Sequence, residues 1–179
     1  PLSFNRLSNI LKSAGAVLGK QTVINYVGYM MDSYMLFTLQ NYAAKLVEKE
    51  TSPKYYFMDT GLLGLMLMDC SSAQLENLVA IELIRRYGRE NVFYFEKNVE
   101  IDFYVPEEKL AIQVSLQVLD QIDTREREIG AFVKLKNFIG DATCLLITNS
   151  EEEELDYEGV HVSVVPVWKW LLQNRKQDI

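Results

Sequence analysis

A chain of 179 residues and 20.7 kDa has room for one ordinary domain or two small ones. With 49% hydrophobic and 24% charged residues it can bury a core, which excludes a disordered polar chain. A net charge of −7 argues against a protein that coats nucleic acid through a broad basic face, and no run of about 18 uncharged apolar residues is present to span a membrane.

No basic-then-apolar leader opens the sequence, and Cys70 and Cys144 belong to no CxxC pair. A reducing, cytoplasmic setting with two unpaired thiols is therefore expected. The start at Pro1 rather than at a methionine predicts a fragment of a longer protein. Charge is unevenly spread. Residues 1–58 carry six Lys/Arg against three acids, and the rest carries 12 against 22, an asymmetry that suggests two modules with different partners.

In chain order, Phe4, Leu7, Ile10 and Leu11 recur at helical spacing between Ser3 and Ala14, and Gly15 breaks the pattern. Val23, Ile24, Val27, Met30 and Met31 form a second helical stripe between Lys20 and Tyr34. Met35–Asn41 and Lys54–Met58 read as strands, with the polar stretch Glu48–Pro53 as the tip between them. Two helices followed by a two-stranded ribbon outline a winged helix-turn-helix over residues 1–59.

Asp59 and Gly61 open a short helix through Leu67, and Ser72 caps a longer one that ends at Tyr87 before Gly88. Strands are expected at Val92–Glu96, Val99–Val105 and Leu110–Leu116, joined as antiparallel hairpins by compact turns at Lys97-Asn98 and Pro106–Lys109. A helix over Gln121–Asn137 precedes Thr143–Thr148, whose near-continuous apolar run fits a strand buried on both faces. Glu151–Glu154 reads as a solvated loop, Val160–Val165 as a strand, and Pro166 as the start of a last helix, Val167–Leu172. Residues 60–179 thus make an α/β (α+β) domain with a mixed sheet.

Gly15-Ala-Val-Leu-Gly19-Lys20-Gln21-Thr22 is one residue short of a phosphate-binding loop. It follows a helix rather than a strand, and Gln21 stands where a metal-binding hydroxyl belongs, so it reads as a turn. His161 is the only histidine and has no cysteine cluster near it in sequence, which leaves it a structural or surface role.

The informative constellation is Glu76 near a helix start, Glu100-Ile-Asp102 on one strand and Gln113-Val-Ser115 on the next. Strict alternation puts Asp102 and Glu100 on the face opposite Ile101 and Phe103, and a hairpin sets Asp102 beside Gln113. Magnesium-dependent phosphodiester cleavage needs oxygen ligands for the metal and a cation near the attacked phosphate. Glu76 and Asp102 are candidate metal ligands, whereas Gln113 offers only a neutral amide and Ser115 no charge. Surface carboxylates are the plainer reading from spacing alone.

Three segments resemble a known family: Tyr55-Tyr-Phe-Met-Asp-Thr-Gly-Leu62, Glu76-Asn-Leu-Val-Ala-Ile-Glu-Leu83 and Glu100-Ile-Asp-Phe-Tyr-Val105. They look like the C-terminal region, of unknown function, of bacterial and archaeal AAA-type ATPases. The likeness runs from about Ser3 to Leu172. It implies a winged helix followed by a PD-(D/E)xK, restriction-endonuclease-like domain, behind an N-terminal P-loop ATPase domain that would be its partner and would alone bind ATP. The family's third strand usually ends in Glu-Val-Lys, and here Gln113 and Ser115 replace the acid and the lysine.

The resemblance therefore implies a pseudo-nuclease: a non-catalytic binding or regulatory module in which Glu76, Asp102, Gln113 and Ser115 form a degenerate site without cofactor. An active magnesium nuclease using Glu76, Glu100, Asp102 and Gln113, with a lysine such as Lys97 supplied from elsewhere, is the first alternative. The second is a DNA-binding regulator. In a winged helix the helix around Gln21–Tyr34 would meet DNA through Lys20, Gln21, Thr22 and Asn25. One cation among those four leaves DNA contact and a packing role both open.

Overall fold

Apolar runs with both faces buried demand helices above and below a sheet, and the computed structural model has that arrangement. It describes residues 15, 18–44, 53–66, 71–119 and 122–173. The helix expected over Ser3–Ala14, all of the ribbon tip but Pro53, and Cys70 lie outside these residues. The described elements are α1 (Lys20–Asp32), β1 (Leu36–Asn41), β2 (Lys54–Phe57), α2 (Gly61–Met66), α3 (Ser71–Tyr87), β3 (Phe93–Glu96), β4 (Glu100–Val105), β5 (Leu110–Val114), α4 (Ile122–Ile139), β6 (Thr143–Thr148), β7 (Glu153–Tyr157), β8 (Val160–Pro166) and α5 (Val167–Gln173). No helix among the described residues is long and apolar enough to cross a membrane.

The strands form one mixed eight-stranded sheet in the order β2-β1-β3-β4-β5-β6-β8-β7. The ribbon expected to be a wing is continuous with it: β1 pairs antiparallel with β2 and parallel with β3, with Gln40 opposite Phe93 and Asn41 opposite Tyr94. The expected hairpins β3–β4 and β4–β5 are antiparallel, and β5–β6–β8 run parallel through the centre. Alternation along β6 sends Cys144 and Leu146 into a core with Ile129, Phe132 and Leu135 of α4, and Ile147 into a second core with Val79 and Leu83 of α3 and Trp170 of α5. Each face thus has its own hydrophobic layer.

Three expectations change. Glu153 and Glu154 belong to β7, which pairs antiparallel with β8. Its burial shows why no pattern was readable: only Leu155 of its five residues is buried, as befits an edge strand. The turn it shares with β8 is tight: Glu158 and Gly159 both take positive φ (47° and 76°), the geometry of a two-residue type I′ hairpin. Pro166 is the last residue of β8, opposite Thr148, and the helix begins one residue later. Alternation also fails in β4. Two steps on β3, from Phe93 to Phe95, face three on β4, from Tyr104 to Ile101, so β4 carries an extra residue beside Asp102. Ile101 and Phe103 consequently enter opposite cores.

α3 ends where Gly88 takes φ +82°, closing on the Ile84 carbonyl. The helix is tied on both sides. Arg86 stacks 4.2 Å from the Trp170 ring and donates to the Trp170 carbonyl, and its guanidinium and that of Arg85 hold the buried Glu82. At the other end the Asn77 side chain accepts from the Phe57 N–H (2.7 Å) and donates to the Phe57 carbonyl (2.9 Å), fastening edge strand β2 to the helix. Replacing Asn77 with Leu keeps the branched outline of the side chain and removes both bonds. Urea unfolding should show a loss of about 2 kcal/mol with an unchanged denaturant slope.

Candidate functional site

β2 begins at Lys54, and alternation puts Lys54 and Tyr56 on one side of the ribbon. Because β2 is fastened to α3 through Asn77, that side faces Glu76 on the helix and the β4 bulge. The Lys54 Nζ lies 2.8 Å from Glu100 Oε1, 3.5 Å from Asp102 Oδ1 and 3.8 Å from Glu76 Oε1, and its side chain is only 14% exposed. The Tyr56 hydroxyl donates to Glu76 Oε1 at 2.8 Å. Glu76, Glu100 and Asp102, three carboxylates singled out in the sequence, therefore converge on one ammonium that sequence reasoning did not place there.

The cluster opens into a polar cleft of about 500 Å³ between the β4–β5 hairpin and α4, which contributes Glu126, Arg127, Glu128 and Lys134. Glu128 is buried and takes both its bonds from the neighbouring Arg127 guanidinium.

Gln113 is 5% exposed, and each of its two polar atoms is bonded. Its Oε1 accepts from the Asp102 backbone N–H (2.9 Å) and its Nε2 donates to the Glu100 carbonyl (3.1 Å). The bulge has displaced β4 from regular pairing there, and the side-chain amide serves as a substitute backbone. Asp102 in turn accepts from the Val114 N–H through Oδ2 at 3.0 Å. Ser115 lies just past β5; its N–H bonds the Ile147 carbonyl and its hydroxyl donates to the Gln117 carbonyl. Lys97, the lysine considered from sequence, lies 5.2 Å over the Phe138 ring instead.

One positive charge among three acids leaves the fully ionised cluster net negative. The proton goes to the acid that burial penalises most: burial first, and then the charge of Glu76, push Asp102 up to about 7, against the opposing pull of Lys54. Burial also works against ionised Glu100, but its hydrogen bond to Lys54 and the lysine's charge outweigh it and hold that carboxyl below its ordinary value. Lys54 itself loses some basicity to burial and regains more from Asp102, Glu76 and Glu100, so it stays an ammonium well past neutrality. Burial, then Glu76, raise the Tyr56 phenol well above its usual range, keeping it a donor.

An active nuclease, the first alternative above, would need a divalent ion at Glu76 and Asp102, the candidate metal ligands. The residues present do not fit one: the ammonium fills the space between the carboxylates, and the Gln113 amide oxygen already accepts a backbone N–H. Among the described residues, no group of three or more His, Cys, Asp or Glu side chains is arranged to hold a metal ion. His161 is an exposed residue of β8, paired through its two ring nitrogens with Asp156 and Glu154 of β7. On α1, Lys20, Gln21 and Asn25 are exposed and Thr22 is half-buried, with the Gln21 side-chain amide donating to Asn25 Oδ1 (3.1 Å).

A family model described as a domain of unknown function (DUF8612) matches residues 2–74. An uncharacterized protein of Methanocaldococcus jannaschii is 32% identical over 181 residues, covering 96% of this chain and 41% of that protein. The chain thus spans about two fifths of the length of the curated relative it matches. No solved structure matches it significantly.

Two outcomes follow from the electrostatics. A folded-state Asp102 value above the unfolded one means a contribution to stability that is complete below about pH 4 and lost as pH rises to about 7. Asp102→Asn, which cannot ionise, should therefore gain on the wild type across that window, by on the order of 2 kcal/mol in denaturant titrations at pH 4 and 7.5. Gln113→Glu keeps an acceptor for the Asp102 N–H but sets a carboxylate against the Glu100 carbonyl. Its midpoint at pH 7.5 should fall by the equivalent of about 2–3 kcal/mol, far more than for an exposed Gln117→Glu.

Proposed function

We propose that this chain is the C-terminal binding or regulatory module of a longer AAA-type ATPase, a winged helix joined to a nuclease-like domain that does not cleave nucleic acid. The ATPase parentage rests on the three sequence segments described above, and the length of the Methanocaldococcus relative is compatible with a further domain in that protein. The fold-level reading draws support from the antiparallel β3–β4–β5 hairpins beside a parallel β5–β6–β8 centre, with helices on both faces.

The absence of cleavage is carried by one observation: both polar atoms of Gln113 are spent on the β4 backbone. An acid at that position would complete a metal site; an amide with its oxygen and nitrogen both committed completes a strand. Ser115 adds no charge, and its hydroxyl is directed to its own loop. ATP binding and hydrolysis would belong to the N-terminal domain, whose attachment to this module would be its principal contact.

One observation favours a second reading, an active nuclease. The Lys54 Nζ is 3.5 Å from Asp102, so a lysine is delivered to the carboxylates from outside the usual strand. Incubating the purified protein with supercoiled and single-stranded DNA in millimolar Mg²⁺ or Mn²⁺ separates the two. The proposed function expects no nicking above that of an Asp102→Ala control. Nicking that disappears in both Asp102→Ala and Lys54→Ala would establish the nuclease instead.

A further inference from the structure

The divalent ion that an active nuclease would hold at Glu76 and Asp102 does not match the residues that occupy its place. A metal of this class would draw oxygens to about 2.0–2.6 Å. Here the three carboxylates stand 2.8, 3.5 and 3.8 Å from a nitrogen, spacings suited to hydrogen bonds and ion pairs around an ammonium. The nitrogen is placed by its strand and not by chance of a long side chain. β2 is fixed at its far end by Asn77, Tyr56 two residues along bonds the same Glu76, and the Lys54 side chain is nearly enclosed and passes 5.4 Å from the Tyr94 ring. Three supports converge on one position.

We infer that the Lys54 ammonium is the resident cation of this site, standing in for the divalent ion and tying the β1–β2 ribbon to α3 and the β4–β5 hairpin. The inference rests on the nuclease-like reading of the carboxylates given above, and adds what neutralises them and what that neutralisation holds together. A cluster built around an intrinsic cation resists metal because an incoming ion would have to expel a charge covalently anchored to the fold. Withdrawing that charge leaves Glu76, Glu100 and Asp102 mutually repelling, two of them (Glu76 and Asp102) partly buried, a state relieved by taking up protons or a soluble cation.

The test compares wild type with Lys54→Met, which keeps the apolar stem, using Mn²⁺ alone as the probe. Binding is read by electron paramagnetic resonance of free Mn²⁺ and stability by thermal unfolding. Wild type should neither take up Mn²⁺ at the cluster nor shift its midpoint. Lys54→Met should unfold at lower temperature without metal, recover saturably with Mn²⁺ and bind it roughly tenfold or more tightly than wild type. Adding Asp102→Asn to it should abolish the recovery. If Lys54→Met does not fold, Lys54→Met/Glu100→Gln, with one charge of each sign removed, takes its place. Equal Mn²⁺ uptake by wild type and variant, or a variant that gains none, would overturn the inference. Those results leave the non-catalytic reading standing, which fails separately if wild type nicks DNA.

Discussion

A lysine that is 14% exposed cannot be left unpaired, and this constraint organises the part of the molecule where the elements meet. The chain answers it with acids drawn from two elements distant in sequence, Glu76 on α3 and Glu100 and Asp102 on β4. Satisfying Lys54 therefore requires the ribbon, the helix and the hairpin to be in register at once. A buried cluster of this kind adds little net stability, since desolvation offsets most of the Coulomb attraction. It adds selectivity instead: any packing of β2 that left the lysine elsewhere would strand the partly buried charges of Glu76 and Asp102.

The same region depends on three side-chain amides that continue the sheet where the backbone ladder stops. Asn41 accepts from the Glu96 N–H and donates to the Glu96 carbonyl, Asn77 does the same for Phe57, and Gln113 for Asp102 and Glu100. Each carries a donor and an acceptor at backbone spacing, which a carboxylate does not. Two of the three, Asn77 and Gln113, set the positions of the ammonium and of the carboxylates around it. Glu151 closes the loop after β5 in a related way, accepting from the backbone N–H groups of Val118 and Leu119 while its own backbone pairs with the Thr148 hydroxyl. An acid that reads as part of a solvated run is in fact a loop clamp.

Local periodicity was enough to find the elements whose faces are buried. Thr143–Thr148 has the bounds its apolar run predicts, and β1, β2, β4 and β5 fall within a residue or two of theirs. Edge strand β7 escaped because one buried leucine gives no alternation to detect. Glu76, Glu100 and Asp102 were legible as a group through spacing and resemblance. Lys54 was not, although it lay at the head of a recognised strand two residues from Tyr56. Placing it needed the parallel pairing of β1 with β3, a contact between segments some fifty residues apart that leaves no local signature. The bulge beside Asp102 was equally silent, being a property of how β3 and β4 align and not of either strand alone.

The bulge also explains why Gln113 suits its position better than the acid that cleavage chemistry would require. By displacing β4 it turns the Asp102 N–H and the Glu100 carbonyl toward Gln113 instead of toward a backbone partner. A carboxylate could satisfy the N–H but would face the carbonyl with like polarity, beside an Asp102 that burial and Glu76 already push toward its protonated form. An added metal could relieve that repulsion, so an acid there would depend on a soluble ion to hold the hairpin. An amide depends on nothing outside the chain. Gln113 and Lys54 are complementary on this account: one removes the need for a cation at the hairpin, and the other supplies the charge that the remaining carboxylates still require.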